Sequence, residues 1–214
     1  MPDVGQDPVQ PSYSFRRLLL VGTGALGVCS LPGWVGWLRE NHSYIETKVA
    51  LTRHATRFVA PAALTAIGGA RLFDDEWPAE PQVTAPHVEL AEWADAVAVF
   101  PATFHFVSRF ALGLADTPVM LALQCGTAPI GLAPALPPGG FQSHAMRSHL
   151  AALRARPNVV VADPEPGRSV TTGAIGRNAA APLPSLLELI EKLHAELAAE
   201  PPDPAAGPGE GGRA

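Results

Sequence analysis

The chain has 214 residues, of which 47% are hydrophobic and 16% are charged, and its formal net charge is −5. This composition is typical of a globular protein with one sizeable core. The acidic balance without a basic block argues against an electrostatic nucleic-acid surface. No apolar run reaches the roughly 20 residues that span a bilayer. The two cysteines provide no disulfide framework, which favours a cytoplasmic location.

Both ends of the chain are predicted to be disordered. Residues 1–14 are mostly polar and contain proline, and residues 201–214 are rich in proline and glycine without an apolar anchor. Such segments cannot bury enough apolar surface to offset the entropy of ordering. The folded domain is therefore predicted to span residues 15–200.

The first predicted strand is the apolar run Arg17–Val21, a pattern typical of a strand buried on both faces of a parallel sheet. Residues 22–27 follow with the spacing G-x-G-x-x-G, and an apolar helical stretch extends to about Arg39. A glycine-rich turn between strand and helix presents backbone N–H groups to a phosphate. The same spacing also fits a tight turn that only needs small side chains. Neither Glu40 nor Glu46 closes a strand, as the acidic ribose ligand of a dinucleotide site would.

The second predicted strand is Lys48–Leu51, and hydroxyl and guanidinium side chains follow its carboxyl end. These are Thr52, Arg53, Thr56 and Arg57. Both kinds of group bind phosphate. Thr52 also suits the N-cap of the following helical turn, and the two interpretations are compatible.

The stretch from His87 to Asp116 contains the third predicted strand. A short helix begins at His87, a buried strand covers Ala96–Phe100, residues 101–103 break the pattern, and a helix covers Phe104–Leu114. In an open α/β sheet, a strand that ends in a tight turn places that turn at the carboxyl edge, where ligands bind. This stretch therefore predicts part of a ligand site.

The remaining segments continue the alternation of strands and helices. They are a helix from Pro61, a loop over Asp74–Pro86, a short helix over Val119–Gln124, a strand over Ile130–Ala133, a helix over Gln142–Arg156, a strand over Val159–Ala162, an irregular segment over Gly167–Ala181 and a helix over Pro184–Ala199. A loop as long as Asp74–Pro86 is often functional. The alternation predicts an α/β fold, with a single-domain, three-layer αβα Rossmann-like (flavodoxin-like) parallel sheet.

The order and spacing of these segments resemble the homo-oligomeric flavin-containing cysteine decarboxylases, the family of phosphopantothenoylcysteine decarboxylase and the peptidyl-cysteine decarboxylases. The resemblance covers about residues 15–184. It is carried by RLLLVGTGALG, KVALTRHATRFV, HVELAEWADAVAVFPAT, LAPAL, and NVVVADPEPG before TTGAIGRN. The resemblance implies that FMN binds at the carboxyl edge and is shared between subunits of a trimer or a dodecamer.

The resemblance also implies which positions form the site. The implied FMN contacts are Gly22, Thr23, Gly24, Ala25, Thr52, Thr56, Pro101, Ala102 and Thr103. His87 matches the family's active-site histidine. The implied start of the substrate-binding motif is Ala133, Pro134, Ala135 and Leu136.

Two positions depart from the family pattern. The family's P-A-S-A-N-T reads P-A-T-F-H-F here, so His105 replaces the asparagine that contacts the substrate carboxylate. The family's proline, small residue, Met, Asn motif reads Pro134-Ala135-Leu136-Pro137, so a second polar substrate contact is missing. His105 either binds the carboxylate as an imidazolium, or is tolerated because that role has lapsed. Both departures affect substrate handling, which argues against the metabolic pantothenate enzyme.

The resemblance implies a mechanism as well. The cysteine of the substrate gives up a hydride from its β-carbon to the flavin, and the resulting thioaldehyde allows the carboxylate to leave as CO2. His87 is the implied base for the thiol proton. We therefore predict oxidative decarboxylation of the C-terminal cysteine of a ribosomally made peptide, which gives an enethiol for aminovinyl-cysteine formation. A dehydratase or cyclase is a candidate partner.

Three alternatives stay open. One is a catalytically lapsed flavin-binding partner or regulatory protein, and another is a phosphopantothenoylcysteine decarboxylase-like enzyme. The third is a relative of the flavin prenyltransferases, whose glycine-rich start differs from this one. No metal site is predicted, because His54, His144 and His149 lack the spacing of metal ligands.

Overall fold

The computed structural model describes residues 12–80 and 83–199. Within them the chain forms eight strands and seven α-helices. The strands are β1 (Arg17–Gly22), β2 (Glu46–Leu51), β3 (Arg71–Phe73), β4 (Ala96–Ala102), β5 (Ile130–Pro134), β6 (Val159–Val161), β7 (Glu165–Arg168) and β8 (Ile175–Ala179). The helices are α1 (Leu31–Asn41), α2 (Pro61–Gly68), α3 (Pro86–Trp93), α4 (Phe104–Ala111), α5 (Pro118–Cys125), α6 (His144–Arg154) and α7 (Leu183–Ala199).

Six of the strands form one parallel sheet in the order β3-β2-β1-β4-β5-β6. Its central strands are buried on both faces, as the continuous apolar runs predict. The chain moves outward from β1 in one direction and from β4 in the other, so the topological switch point lies between these two strands. Ligands bind at such a point, outside the carboxyl ends of the strands.

Helices cover both faces of this sheet and give the molecule three layers. One core packs α1, α2 and α7 against the first face, and a second core packs α3, α4, α5 and α6 against the other. The predicted three-layer αβα Rossmann-like sheet is confirmed.

Local sequence signals set several helix ends. The Thr117 hydroxyl accepts a hydrogen bond from Met120 N at 3.3 Å, and Pro118 occupies the first position of α5. This arrangement confirms the prediction of a helix in that strand-like segment. At the end of α2, Gly69 adopts the left-handed conformation with φ of 64°, which a residue without a Cβ reaches at little cost.

Two predictions about the chain's elements are wrong, and one strand was missed. Residues 167–181 are not irregular, because β7 and β8 pair there as an antiparallel hairpin. The hairpin is largely exposed and contains glycine and proline, so its sequence lacks strand periodicity. The edge strand β3 was missed because three residues are too few to show a period. The break after Phe100 is also misplaced, since β4 continues through Ala102.

The predicted disordered start overlaps the folded domain. Tyr13 is 2% exposed, and the Ser14 backbone N–H donates to the Glu191 carboxylate at 2.8 Å. Residues 12–14 are therefore part of the domain. The rest of the predicted N-terminal extension, and the tail from 201 to 214, lie outside the described residues.

Within the described parts of the chain, no helix is long and apolar enough to cross a membrane. Cys29 and Cys125 are both free and exposed.

Candidate functional site at the carboxyl edge of the sheet

One buried hydroxyl joins the ends of β1 and β4 at the switch point. Thr23 is 1% exposed, and its Oγ1 donates to the Pro101 carbonyl at 2.6 Å. The same oxygen accepts from the Thr103 backbone N–H at 2.9 Å. The glycine-rich turn and the end of β4 are therefore held together as one unit.

The end of β2 packs directly on the glycine-rich turn. A Cβ added to Gly24 would lie 2.6 Å from the Cβ of His54, which is too close for any side chain. A Cβ at Gly22 would lie 2.7 Å from a Leu51 methyl group. The Thr52 N–H donates to the Gly22 carbonyl at 3.0 Å. Glycine is therefore required at position 24 for this close approach, whereas a side chain at position 22 would displace neighbouring methyl groups.

A cavity of about 640 Å³ opens beside these strand ends. This is within the size range of small-molecule and cofactor sites. It is lined by Gly24, Leu51, Thr52, Arg53, His54, Thr56, Asp74, Asp75, Glu76, Thr103, His105, Phe106, Arg109, Asp116 and Thr117. Five of the implied site residues are among them: Gly24, Thr52, Thr56, Thr103 and His105.

One wall of the cavity carries hydroxyl and basic groups from the turn after β2. Thr52, Arg53, His54 and Thr56 form this wall, and the Thr56 hydroxyl donates to the Arg53 carbonyl at 2.9 Å. Threonine hydroxyls and a guanidinium are donors that suit a phosphate group.

A second part of the lining, the acidic wall, comes from the loop after β3 and the segment before α5. Burial raises the pKa of Asp75, although Val119 N–H donates to its carboxylate at 2.9 Å and Thr117 also bonds to it. Burial also acts to raise the pKa of Asp116, but its ion pair with Arg109 outweighs this, and the pKa is lowered. The cavity is therefore electrostatically two-sided.

His105 projects from the start of α4, where the Thr103 hydroxyl caps the helix by accepting from Phe106 N at 3.2 Å. Its ring meets that of His54 edge to face, with 6.4 Å between the centroids. Both rings line the cavity.

His87 does not line the cavity of its own chain. It is the second residue of α3, and its Nδ1 is buried without a hydrogen-bond partner among the described residues. The ring of Trp77 lies beside it, at 5.6 Å between centroids. Trp77 Nε1 donates to the carbonyl of Asp116, a residue of the cavity wall, at 2.9 Å. Trp77 thus links His87 to the cavity wall.

The implied substrate motif lies at the end of the neighbouring strand β5 and borders a different groove. Pro134 is in register with Ala102, and Ala135 N–H donates to the Ala102 carbonyl at 2.9 Å. Leu136 N–H donates to the Asn178 carbonyl of β8 at 3.1 Å. Ala135 lines a separate groove of about 590 Å³, which Pro101 also lines.

The other implied site residues have structural positions. Gly22, Ala102, Ala133, Pro134 and Leu136 are buried, and Ala25 N–H donates to the Thr23 carbonyl at 2.8 Å. These residues shape the strand ends without lining the cavity.

Sequence reasoning missed most of the acidic wall. Arg109 and Asp116 are seven residues apart, but α4 ends at Ala111, so their pairing follows from the fold of the α4–α5 connection. The only available signal for Asp74, Asp75 and Glu76 was the unusual length of their loop.

A family model described as Flavoprotein matches residues 8–195. The chain belongs to the flavoprotein family. Among curated relatives of this flavoprotein, the cypemycin cysteine dehydrogenase (decarboxylating) of Streptomyces sp is 32% identical over 139 residues, which are 64% of this chain and 70% of the relative. The bifunctional coenzyme A biosynthesis protein of Bacillus subtilis (strain 168) is 26% identical over 189 residues, 87% of this chain. The chain spans only 45% of that protein.

Solved structures agree with the family. The crystal structure of the cypemycin decarboxylase superposes with a TM-score of 0.70 and 28% identity, and covers 87% of this flavoprotein and 97% of that chain. An FMN-dependent cysteine decarboxylase from thioviridamide biosynthesis superposes with a TM-score of 0.67 and 28% identity, over 84% and 98% of the two chains. The predicted family, the flavin-dependent cysteine decarboxylases with FMN as their cofactor, is confirmed.

The residues present fit FMN. The cavity is large enough for a cofactor, the turn after β2 carries hydroxyl and guanidinium groups that suit a phosphate, and Gly24 of the first turn lines the cavity. No group of three or more His, Cys, Asp or Glu side chains that could hold a metal ion occurs in residues 12–80 and 83–199.

Proposed function

We propose that this flavoprotein catalyses the FMN-dependent oxidative decarboxylation of the C-terminal cysteine of a ribosomally made peptide. The product is an enethiol, from which an aminovinyl-cysteine ring forms. The observation that carries the proposal is the cavity at the β1/β4 switch point, whose phosphate-binding donors and size suit FMN in a chain 32% identical to the cypemycin enzyme.

The turn after β2 is proposed to hold the flavin phosphate. Thr52 and Arg53 offer hydroxyl and guanidinium donors on one wall, and the Thr56 hydroxyl would join them by turning from the Arg53 carbonyl to which it donates. Gly24 and Thr103 border the same cavity, where the ring system would lie. FMN held there would supply the oxidant for removal of a hydride from the β-carbon of the substrate cysteine. The protein's own residues supply the binding, the orientation and the proton transfers.

His87 is proposed to remove the thiol proton of the substrate. An imidazole that titrates near neutral pH suits this role if it lies within hydrogen-bond reach of the sulfur. Because His87 is outside the cavity of its own chain, the role requires the site shared between subunits that the family resemblance implies. A homo-oligomer, trimeric or dodecameric, is therefore part of the proposal.

His105 is proposed to bind the substrate carboxylate before it leaves as CO2. It lines the cavity at the amino end of α4, where the helix dipole also favours an anion. Ala133–Leu136 and the adjoining groove are proposed to receive the rest of the peptide end, since Ala135 and Pro101 share that groove. A dehydratase or cyclase partner and a cytoplasmic location stay predictions.

The experiment uses purified protein and a synthetic peptide that ends in cysteine. We expect the protein to be yellow, with an absorbance maximum at about 450 nm. The peptide should lose about 46 Da, the mass of CO2 and two hydrogens. A protein without colour that cannot be reconstituted with FMN would contradict the cofactor assignment.

The decisive variant is His87→Asn. It should keep the flavin absorbance and the assembly size but lower the rate of mass loss by at least about a hundredfold, because general-base catalysis contributes 10²- to 10⁴-fold. Undiminished turnover in this variant would remove His87 from the mechanism.

A second candidate is decarboxylation of phosphopantothenoylcysteine. The similarity to the bifunctional coenzyme A biosynthesis protein favours it, although this chain spans less than half of that protein. The same mass assay with phosphopantothenoylcysteine separates the two. Turnover of this small thiol in preference to cysteine-ended peptides would overturn the peptide assignment, and turnover of neither would favour a catalytically lapsed flavin-binding protein.

A further inference from the structure

Trp77 contacts both the cavity wall and His87. Its indole Nε1 donates to the Asp116 carbonyl at 2.9 Å, and its ring lies 5.6 Å from the His87 ring at an interplanar angle of 68°. The indole is 44% exposed, which is unusual for a residue with only a core-packing role. Trp77 therefore connects the cavity wall with the His87 side chain.

The loop that carries Trp77 is fixed on the α4–α5 junction by polar contacts. Asp75 accepts a hydrogen bond from Val119 N at 2.9 Å, close to the amino end of α5. Asp116 in turn pairs with Arg109 of α4. The Asp116 carbonyl, which accepts the hydrogen bond from the Trp77 indole, is thus part of a corner that these polar contacts hold together.

The Nδ1 atom of His87 is buried and has no hydrogen-bond partner among the described residues. The packing of neighbouring side chains therefore contributes to the orientation of the ring. Histidines in active sites are normally oriented by a hydrogen bond to the nitrogen that does not react. Here an edge-to-face aromatic contact is present instead.

We propose that Trp77 is a positioning residue for His87, and that the bond from its indole N–H to the Asp116 carbonyl fixes the ring against which His87 packs. This inference rests on the proposed function and extends it to a residue that acts through His87 rather than on the substrate. A misplacement of about 1 Å can cost roughly a hundredfold in rate. The contact is therefore expected to affect turnover more than peptide binding.

Two substitutions at Trp77 separate the effect of its ring from the effect of its N–H donor. Trp77→Phe keeps an aromatic ring but removes the N–H donor, and Trp77→Leu removes both. We expect kcat to fall by about tenfold in the first variant and by about a hundredfold in the second, with the KM for the cysteine-ended peptide changed by less than about threefold. A matched control is Trp93→Phe, at the other end of α3, which should leave both constants near the wild-type values.

A second readout does not depend on turnover. Diethyl pyrocarbonate acylates accessible imidazole nitrogens, and mass spectrometry of peptides from the FMN-loaded protein gives the rate for each histidine. In Trp77→Leu, the His87 rate should rise at least about threefold, because the ring loses the neighbour that packs against it. The rates at His144 and His149 on α6 serve as internal references and should not change, and Trp93→Phe should match the wild type at all three.

The outcomes distinguish this inference from the proposed function. An unchanged His87 acylation rate in Trp77→Leu, or a KM effect without a kcat effect, would overturn the positioning role. If His87→Asn turned the peptide over normally, the proposed base would be wrong. The acylation rates would still show whether Trp77 holds the His87 ring.

Discussion

The ligand edge of this flavoprotein depends on single side chains whose polar atoms have defined partners. Thr23 is the main example, since its buried hydroxyl is both donor and acceptor between the ends of β1 and β4. Buried polar atoms stabilise a fold only when they are paired, and each atom left unpaired costs about 1–3 kcal/mol. A valine has the same shape as threonine but cannot satisfy either partner.

We therefore expect Thr23→Val to lower the free energy of unfolding by about 2 kcal/mol, because the Pro101 carbonyl and the Thr103 N–H lose their partner. For a chain of this length the melting temperature should fall by about 4–8 °C. Thermal unfolding followed by circular dichroism measures this, and Thr23→Ser is the control that keeps the hydroxyl. Equal melting temperatures for the valine and serine variants would show that the hydroxyl does not join the strands.

At the scale of elements, the sequence predicted what is periodic or capped. The strands buried on both faces are continuous apolar runs, and the predicted helix over Val119–Gln124 is preceded by local capping chemistry at Thr117 and Pro118. The hairpin of β7 and β8 could not be predicted, because its pairing rests on backbone hydrogen bonds between exposed residues.

The candidate site likewise has residues that the sequence could locate and residues that it could not. Residues in the turns after β1, β2 and β4 could be located, because carboxyl ends of parallel strands meet at one edge. The acidic wall and the contact between Trp77 and His87 depend on how a long loop folds back, and no local pattern encodes this. The separation of His87 and Ala135 from the cavity was likewise invisible in the sequence.

Because the turns after β1 and β2 lie so close together, a side chain added at Gly24 should affect FMN binding. In Gly24→Ala the new Cβ would lie 2.6 Å from His54 Cβ, so the turn that carries the proposed phosphate donors must move. We expect the dissociation constant for FMN to rise by at least about tenfold, or 1.4 kcal/mol. Titration of the apoprotein with FMN, followed by flavin fluorescence, measures this.

Gly33→Ala is the matched control for that substitution. A Cβ at Gly33 meets nothing within 4 Å, and the residue is exposed in α1. FMN affinity should therefore be unchanged, while helix stability should increase by about 0.5–1 kcal/mol. If Gly24→Ala bound FMN as tightly as Gly33→Ala, the first turn could not be part of the cofactor site.

At the scale of the whole molecule, the two edges of the sheet have different roles. The carboxyl edge carries the cavity, whereas the amino edge is closed by an aromatic cluster of Tyr13, Phe15, Trp37, His42 and Tyr44. This cluster holds the first described residues against the domain. His42 is 2% exposed within it, and its Nε2 is buried without a partner in the described part of the chain.

Because burial lowers the pKa of His42, the free energy of unfolding should depend on pH through the protonation of this side chain. The unfolded chain takes up a proton near the ordinary value of about 6.5, while the folded chain resists it. Stability should therefore be highest above about pH 6.5, and fall as the pH decreases from there toward the lowered pKa of the folded state. His42→Phe should lose less stability over this interval than the wild type.

Urea unfolding at pH 7.5 and at pH 5.5 measures this difference. Tyr13→Phe is the control, because burial raises the pKa of Tyr13 to about 12 and it does not titrate in this interval. It should therefore keep the pH dependence of the wild type. Parallel losses in wild type and His42→Phe would mean that other groups cause the acid sensitivity. Since the cluster lies at the edge opposite the cavity, FMN affinity at pH 7.5 should be the same in all three proteins.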